Sequence, residues 1–315
     1  MFDSRLQEAT AWAPATVSNV GVGFDILGFG LSPLGDEVTV RRTADPGVHL
    51  VILDGDERVP VEPEDNSATA GLMVLLEDRP MPFGLEVELK KGVPVQSGLG
   101  GTAASAVAAI TAASAVLEEP LGLPERFHYA LLGERMACGR RGGDNVAPAM
   151  LGGMVLVRSM DPLDVVRIPV PHQMGAVVVR PELCIDVRKA RQLLADQIEM
   201  KQFVRQSANL AGFLAGCFRD DRNLIGRSLQ DLIVGPQRAH MIPGFAEVQE
   251  AARGAGALGC SIAGAGPTLF ALHDFDVEGE AIRDAMIEAF QRAGIESTGH
   301  LSPINGLGAH IVGRG

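Results

Sequence analysis

The chain has 315 residues and a mass of 33.1 kDa, enough for one large domain or for two lobes sharing a cleft. Hydrophobic residues make up 46% and charged residues 21%, a balance too apolar for a disordered chain and too interrupted for a membrane-embedded one. A net charge of −12 with 4% aromatic residues disfavours binding to a phosphate backbone or stacking on bases, so no nucleic-acid partner is expected. A small anionic ligand in a local basic pocket remains admissible.

The four cysteines, Cys138, Cys184, Cys217 and Cys260, are far apart and form no Cys-x-x-Cys, which argues against a zinc site and a disulfide framework. Residues 1–15 carry no apolar signal core, and no stretch approaches the ~18 apolar residues of a membrane span. The expected setting is the cytoplasm, with no membrane partner.

From residue 11 to about 54 the pattern is strands and turns, and Leu85, Val87 and Leu89 alternate with polar neighbours as another strand. Gly101 to Glu118 reads as a long helix of Ala, Val, Ile, Ser and Thr, apolar on nearly every face and therefore buried. A second helix is expected over Pro124 to Cys138, then an apolar run at Val155 and a strand over Gly175 to Val179. Helical spacing follows at Ala190 to Ala195, Phe203 to Phe218, Leu224 to Ile233 and Phe245 to Arg253. Strands at Gly259 to Ala263 and Thr268 to His273, a helix over Glu278 to Ala293 and a last strand near Ala309 to Val312 complete the chain. Runs of strands and runs of helices without strict alternation favour α+β layers.

The most informative segment is Pro94-Val95-Gln96-Ser97-Gly98-Leu99-Gly100-Gly101-Thr102-Ala103-Ala104, which joins a strand to the long buried helix. A helix N-terminus offers unpaired N–H groups and the positive end of a dipole, and glycines let phosphate oxygens approach the backbone. The competing reading is an ordinary strand-to-helix turn capped by Thr102. No Gly-Lys dipeptide occurs, which excludes a Walker A loop, and Ile26 stands where a dinucleotide fingerprint starting at Gly21 would place its third glycine.

The segment resembles the phosphate loop of the GHMP small-molecule kinases, with Gly101-Thr102 where most members have Ser-Ser. Ala13 to Asp25, containing Asn19-Val20-Gly21-Val22-Gly23-Phe24-Asp25, is similar to the first motif of that family in its homoserine kinase branch. Ile262-Ala263-Gly264-Ala265-Gly266-Pro267-Thr268 is similar to the third motif, and Asp144 to Ala149 with Leu151-Gly152-Gly153 matches the same branch.

The resemblance implies a two-lobed α+β fold, with an N-terminal lobe like domain 2 of ribosomal protein S5 and a ferredoxin-like α+β C-terminal lobe. The expected N-terminal lobe covers residues 1–165 plus a returning strand at about 300–315, and the C-terminal lobe 166–299. It further implies ATP and Mg²⁺ as cofactors, L-homoserine as the small-molecule substrate, and a possible homodimer. Thr102 and Glu134 are the implied metal ligands; otherwise Glu134 is a solvated helix glutamate paired with Arg135 or Arg140. Asn66, Lys91, the loop from Pro94 to Ala104, and Gly264 and Gly266 are the implied nucleotide contacts, although Asn66 and Lys91 read equally as a turn asparagine and a strand-end lysine.

A zwitterionic acceptor needs groups for an ammonium, a hydroxyl and a carboxylate. Asn19, Asp25 and Asn145 suit the first two, and Arg191 and Arg238 suit the third, with a turn aspartate and surface helix charges as the alternatives. With Thr102 and Glu134, Asp25 and Asn145 make up the expected catalytic set, Asp25 serving substrate binding first and proton acceptance as an option. Arg188 and Arg140 are both candidates for stabilising transition-state charge. Gly142 and Val187 stand where the branch usually has histidine and threonine, removing two polar contacts that Arg140 and Arg141 would have to replace. A different small hydroxy acid, or a silent nucleotide-binding regulator, are the rival functions.

Overall fold

The first lobe is a sheet with helices on one face. Its first strands are β1 (Glu8–Ser18), β2 (Leu27–Thr43), β3 (Val48–Asp54) and β4 (Gly84–Lys90), with β1 and β4 antiparallel to β2 and β3 parallel to β4. The computed structural model describes residues 6–54, 57–139, 142–275, 277–304 and 306–315, without the side chain of Cys138. Between and after these strands lie α1 (Ser67–Asp78), α2 (Gly101–Val116), α3 (Leu123–Cys138) and the short α4 (Val146–Leu151). β5 (Met154–Met160) then pairs with β2 and β6 (Leu163–Ile168) with β5, making seven strands with the returning C-terminal one.

Period-two burial of Ala9, Ala11 and Ala13 along β1 presents a surface of small side chains. This lets α2, itself mostly alanine, lie close on the sheet with nearly every face buried, as its composition predicts. α1 and α3 flank it. They touch at Gly133, where an added Cβ would stand 2.6 Å from the Ser67 carbonyl, so only glycine permits this approach. The residue after it, Glu134, is thereby set inside the lobe.

The second lobe opens with β7 (Met174–Pro181) and continues through α5 (Val187–Gln192), α6 (Met200–Arg219), α7 (Arg222–Ser228), α8 (Val234–Arg238) and α9 (Phe245–Gly254). A hairpin of β8 (Gly259–Ile262) and β9 (Leu269–Asp274) is followed by α10 (Gly279–Arg292) and β10 (Ser297–Pro303). The four strands lie in the order β10-β7-β9-β8, the ferredoxin-like arrangement. β11 (His310–Arg314) crosses back to pair with β1. The expected divisions near residues 165 and 300 fall inside β6 and β10; strand pairing changes sheet after Ile168 and after Pro303.

Several elements depart from the sequence reading. α1 is absent from it because Ser-Ala-Thr-Ala-Gly-Leu-Met-Val-Leu-Leu is apolar on most faces and carries little amphipathic contrast. β6 is a half-exposed strand without a clean alternation, and β10 alternates half-buried and exposed positions but is nearly all polar, Ser-Thr-Gly-His-Leu-Ser-Pro. The helix expected over Leu224 to Ile233 stops at Ser228, because the Asp231 carboxylate accepts from Ile233, Val234 and Gly235 N–H and starts α8 instead. No helix among the described residues is long and apolar enough to cross a membrane.

Candidate active site

The glycine loop enters α2 through Gly100, which holds the left-handed conformation at φ 63°, ψ 29°. A Cβ there would lie 1.9 Å from Thr16 Oγ1 and 2.9 Å from Asn145 Oδ1, so the position is closed to any side chain. Thr16 N donates to Leu99 O at 2.9 Å, and Thr16 Oγ1 donates to Asn145 Oδ1 at 2.8 Å. β1, the loop and the start of α4 are thus tied together. Gly100, the N-cap residue, has no side chain to cap α2, which suits the helix end to phosphate oxygens.

A cavity of about 300 Å³ opens over this helix end. Its lining includes Asn66, Lys91, Pro94, Val95, Gln96, Ser97, Gly98, Gly100, Gly101, Thr102, Glu134, Asn145 and Gly264, all expected from the sequence. Leu99, Ala103 and Ala104 are instead core residues behind the loop. Gly266 is not in the lining; its carbonyl lies where a Cβ on Gly98 would need to be, at 2.5 Å, so the third glycine segment packs directly on the loop.

Two side chains in this lining are spent on structure. Asn66 caps α1, its Oδ1 accepting from Ala68 N at 2.9 Å while its Nδ2 donates to Pro60 O at 2.8 Å. Lys91 aims its ammonium at Asp36 and also donates to Gly101 O at 2.8 Å and Ser105 Oγ at 3.1 Å. Asp36, fully buried, accepts from Gly92 N, Val93 N and Ser105 Oγ as well. This pair holds the end of β4 and the first turn of α2 in register, and its Nζ lies 3.0 Å from where a Cβ on Gly101 would be. Glycine in place of the usual serine fits that crowding.

Glu134 is 1% exposed, so the solvated alternative is excluded. It shares the cavity with the Thr102 hydroxyl. Among the described residues no group of three or more His, Cys, Asp or Glu is placed to hold a metal. One carboxylate and one hydroxyl beside a phosphate site are instead the hard-oxygen donors that Mg²⁺ takes when phosphates and waters complete its shell.

A second cavity, of about 420 Å³, adjoins the first and shares Val187, Arg188, Gly264 and Ala265 with it. Asn19, Phe24, Asp25, Gly142, Arg191 and Arg238 complete most of its lining. Asn19 sits at φ 70° and Asp25 at φ 61°; the Asn19 side chain donates to Gly264 O at 2.8 Å and accepts from Asp25 N at 3.0 Å. Asn19 therefore shapes the turn that presents Asp25. Arg191, from α5, donates to Asp25 Oδ2 at 2.5 Å across the two lobes.

Arg238 is 4% exposed, and its guanidinium donates to Ala190 O and Gly264 O, both at 3.1 Å. Both guanidiniums approach the Phe24 ring, at 5.0 Å for Arg191 and 5.6 Å for Arg238. Phe24, Thr16 and Asp36 carry no role in the sequence reading; Phe24 and Thr16 lie within the segment Ala13 to Asp25 singled out there, and Asp36 is found only through its partner. Arg140 and Arg141, expected to supply replacement donors, lie outside the described residues. A larger cavity, about 580 Å³, lies among α8, α9 and β8 and includes none of the glycine-loop residues.

Two adjoining cavities, one over a glycine loop at a helix N-terminus and one lined by paired opposite charges, define a phosphotransferase of the two-lobed α+β type. The chain belongs to the GHMP kinases: residues 66–153 match the GHMP kinase N-terminal domain and residues 213–292 the GHMP kinase C-terminal domain. Within that family, relatives at about 40% identity over nearly the whole chain include homoserine kinases. The homoserine kinase of Xanthomonas campestris pv. campestris (strain B100) is 44% identical over 98% of this chain and 95% of its own length. That of Chloroherpeton thalassium is 40% identical over 98% of this chain and all of its own. The crystal structure of homoserine kinase from Cytophaga hutchinsonii superposes with a TM-score of 0.93, at 42% identity and 99% coverage of both chains.

Proposed function

We propose that the chain transfers the γ-phosphoryl group of ATP to the side-chain hydroxyl of L-homoserine, giving O-phospho-L-homoserine on the route to threonine. The observation that carries this reading is the adjacency of the two cavities: a helix end suited to phosphate opens directly onto a pocket lined by a carboxylate and three arginines. Such a pocket complements an amino acid, which bears one ammonium and one carboxylate. The relatives named homoserine kinase at 40–44% identity over nearly the full chain support the choice of acceptor.

ATP phosphates sit on the α2 N-terminus, which Gly98 and Gly100, both at positive φ, let the loop reach while packed on its neighbours. Thr102 and Glu134 would hold Mg²⁺, which would supply positive charge to neutralise the phosphates. In the neighbouring pocket Asp25, helped by Asn145 from the lining of the first cavity, orients the ammonium and hydroxyl, while Arg191 and Arg238 take the carboxylate. Asp25 and Arg191 pair with each other when no amino acid is bound; the substrate offers each a complementary group, so exchange keeps both charges satisfied. Catalysis is then alignment of the hydroxyl with the γ-phosphorus in a pre-set electrostatic field.

Coupled ADP release with homoserine, threonine, mevalonate and shikimate as acceptors, with and without Mg²⁺, tests the proposal. Homoserine is expected to have the highest kcat/KM, and any other acceptor preferred by ~10-fold refutes it. Gly142 and Val187 make that comparison informative, since both line the pocket as small or apolar groups. ATP binding without ADP release on any acceptor would mark a regulator instead.

The protein is also proposed to act as a homodimer through α6. Met200, Phe203, Val204 and Phe218 are 74%, 52%, 57% and 64% exposed, and Ala211 and Ala215 between them are exposed too. These residues follow one helical stripe, opposite the face on which Gln206 bonds to Val22 O and Leu232 N. A second copy laid antiparallel, crossing near Asn209, sets the Met200 end of one stripe on the Phe218 end of the other, with alanines between to admit the bulk. At ~200 Å² for a whole aromatic side chain, the exposed 52% of Phe203 and 64% of Phe218 come to ~230 Å² of the ~800 Å² per partner that a stable interface needs, the rest falling to the other residues of this face. Sedimentation velocity at low micromolar concentration is expected to give twice the chain mass, and Ala211→Glu to return it to one; a wild-type monomer refutes the assignment.

A further inference from the structure

We infer that Arg188 is the group that neutralises charge on the phosphoryl group while it passes between the two cavities. The inference rests on the reading of those cavities as ATP and homoserine sites. Val187, Arg188, Gly264 and Ala265 are the residues common to both linings, and Arg188 is the one of them with a charge. A phosphoryl group in transit lies at that junction.

The other described cations around the two cavities are already engaged. Lys91 is buried against Asp36, Arg191 is paired with Asp25, Arg238 is tied to two carbonyls, and Arg58 donates to Cys184 Sγ at 2.8 Å. Arg188 is exposed. Among the described residues its guanidinium enters no salt bridge or hydrogen bond. Its backbone, by contrast, is anchored: Arg188 N donates to Asp186 Oδ1 at 2.8 Å in the first turn of α5. A fixed root with an uncommitted guanidinium is what a charge-stabilising arginine requires, because its donors stay available for oxygens whose charge grows during transfer.

In the step itself the homoserine hydroxyl oxygen forms a bond to the γ-phosphorus. The bond from that phosphorus to the β–γ bridging oxygen breaks, and ADP leaves with the electron pair. The hydroxyl proton is released to water by way of the phosphoryl oxygens. Arg188 donates to those equatorial oxygens, and its contacts strengthen as they move from the ATP side to the acceptor side. Val187 and Gly142 contribute no polar group at this junction, so the guanidinium carries the larger share here.

The test compares wild-type protein with Arg188→Ala and Arg188→Lys in steady-state kinetics, alongside direct binding of ADP and of ADP with aluminium fluoride in the presence of homoserine. Arg188→Ala is expected to lower kcat by ~10²–10³-fold, with both KM values within about threefold. Arg188→Lys should recover part of the loss, and added guanidinium ion should partly rescue the alanine variant. Affinity for the planar fluoride complex should fall ~10²-fold while ADP affinity is unchanged. Unchanged ADP binding also reports that the variant is folded. A kcat within threefold of wild type, or a loss confined to the KM for ATP, overturns the role of Arg188. Failure of the wild type to phosphorylate homoserine would overturn the underlying function instead, so the two failures are distinguishable.

Discussion

Gly100→Ala tests whether the glycine loop has the geometry that phosphate binding needs. Alanine in the left-handed region costs about 1–2 kcal/mol. The new methyl would also meet Thr16 Oγ1 at 1.9 Å, in a residue that is fully buried and whose hydroxyl is committed to Asn145. Thr16 cannot turn away without breaking that bond and leaving a buried polar group unsatisfied, which costs a further ~1–3 kcal/mol. The total expected loss is thus about 2–5 kcal/mol.

Gly294→Ala separates the two contributions. Gly294 also has positive φ, at 76°, but a Cβ there meets nothing within 4 Å, and it lies beyond α10, away from both cavities. It should show the conformational cost of about 1–2 kcal/mol alone and keep full activity. Urea unfolding gives the stability of each variant and coupled ADP release the rate. Displacement of the loop by about 1 Å should lower kcat/KM of Gly100→Ala by ~10²-fold. Equal destabilisation of the two variants, with activity retained in Gly100→Ala, would refute the reasoning.

Asp36→Ala should destabilise the fold by about 3–5 kcal/mol, since it strands the Lys91 ammonium in a buried site, and Asp36→Ala with Lys91→Met should recover much of the loss in urea unfolding. Glu134→Gln keeps the shape of a buried side chain but removes its charge; kcat should fall by ~10²-fold and the Mg²⁺ concentration for half-maximal rate should rise, whereas an unchanged Mg²⁺ requirement would remove Glu134 from the metal site. Burial pushes the Cys217 and Cys260 thiols up to about 12. At pH 8 these two therefore hold almost no reactive thiolate, while Cys184 is exposed. Mass spectrometry after brief alkylation of the folded protein should find Cys184 modified and Cys217 and Cys260 intact.

Much of the fold and of the candidate phosphate site was legible along the chain because the information is local. Strand, glycine loop and apolar helix follow one another within residues 84–116, and a helix N-terminus is an anion site wherever a permissive loop precedes it. The all-apolar character of α2 likewise announced its burial. α1 escaped because a helix buried on most faces has no polar side to give it a period. Sequence also named Asp25, Arg191 and Arg238, but as separate charges whose alternatives were a turn aspartate and surface helix arginines.

Tertiary structure decided what those residues do. Asp25 and Arg191 are 166 positions apart and meet only because the two lobes close on each other. Arg238 is buried under Gly264, and Glu134 is enclosed because Gly133 lets α3 press onto α1. Lys91 shows the reverse: an expected nucleotide contact whose charge is consumed by Asp36, 55 positions earlier. The amino-acid sequence by itself determined the local motifs, since backbone conformation and helix dipoles depend on near neighbours. Which charges face a ligand and which are neutralised within the protein depends on long-range packing, and only the folded chain sets that.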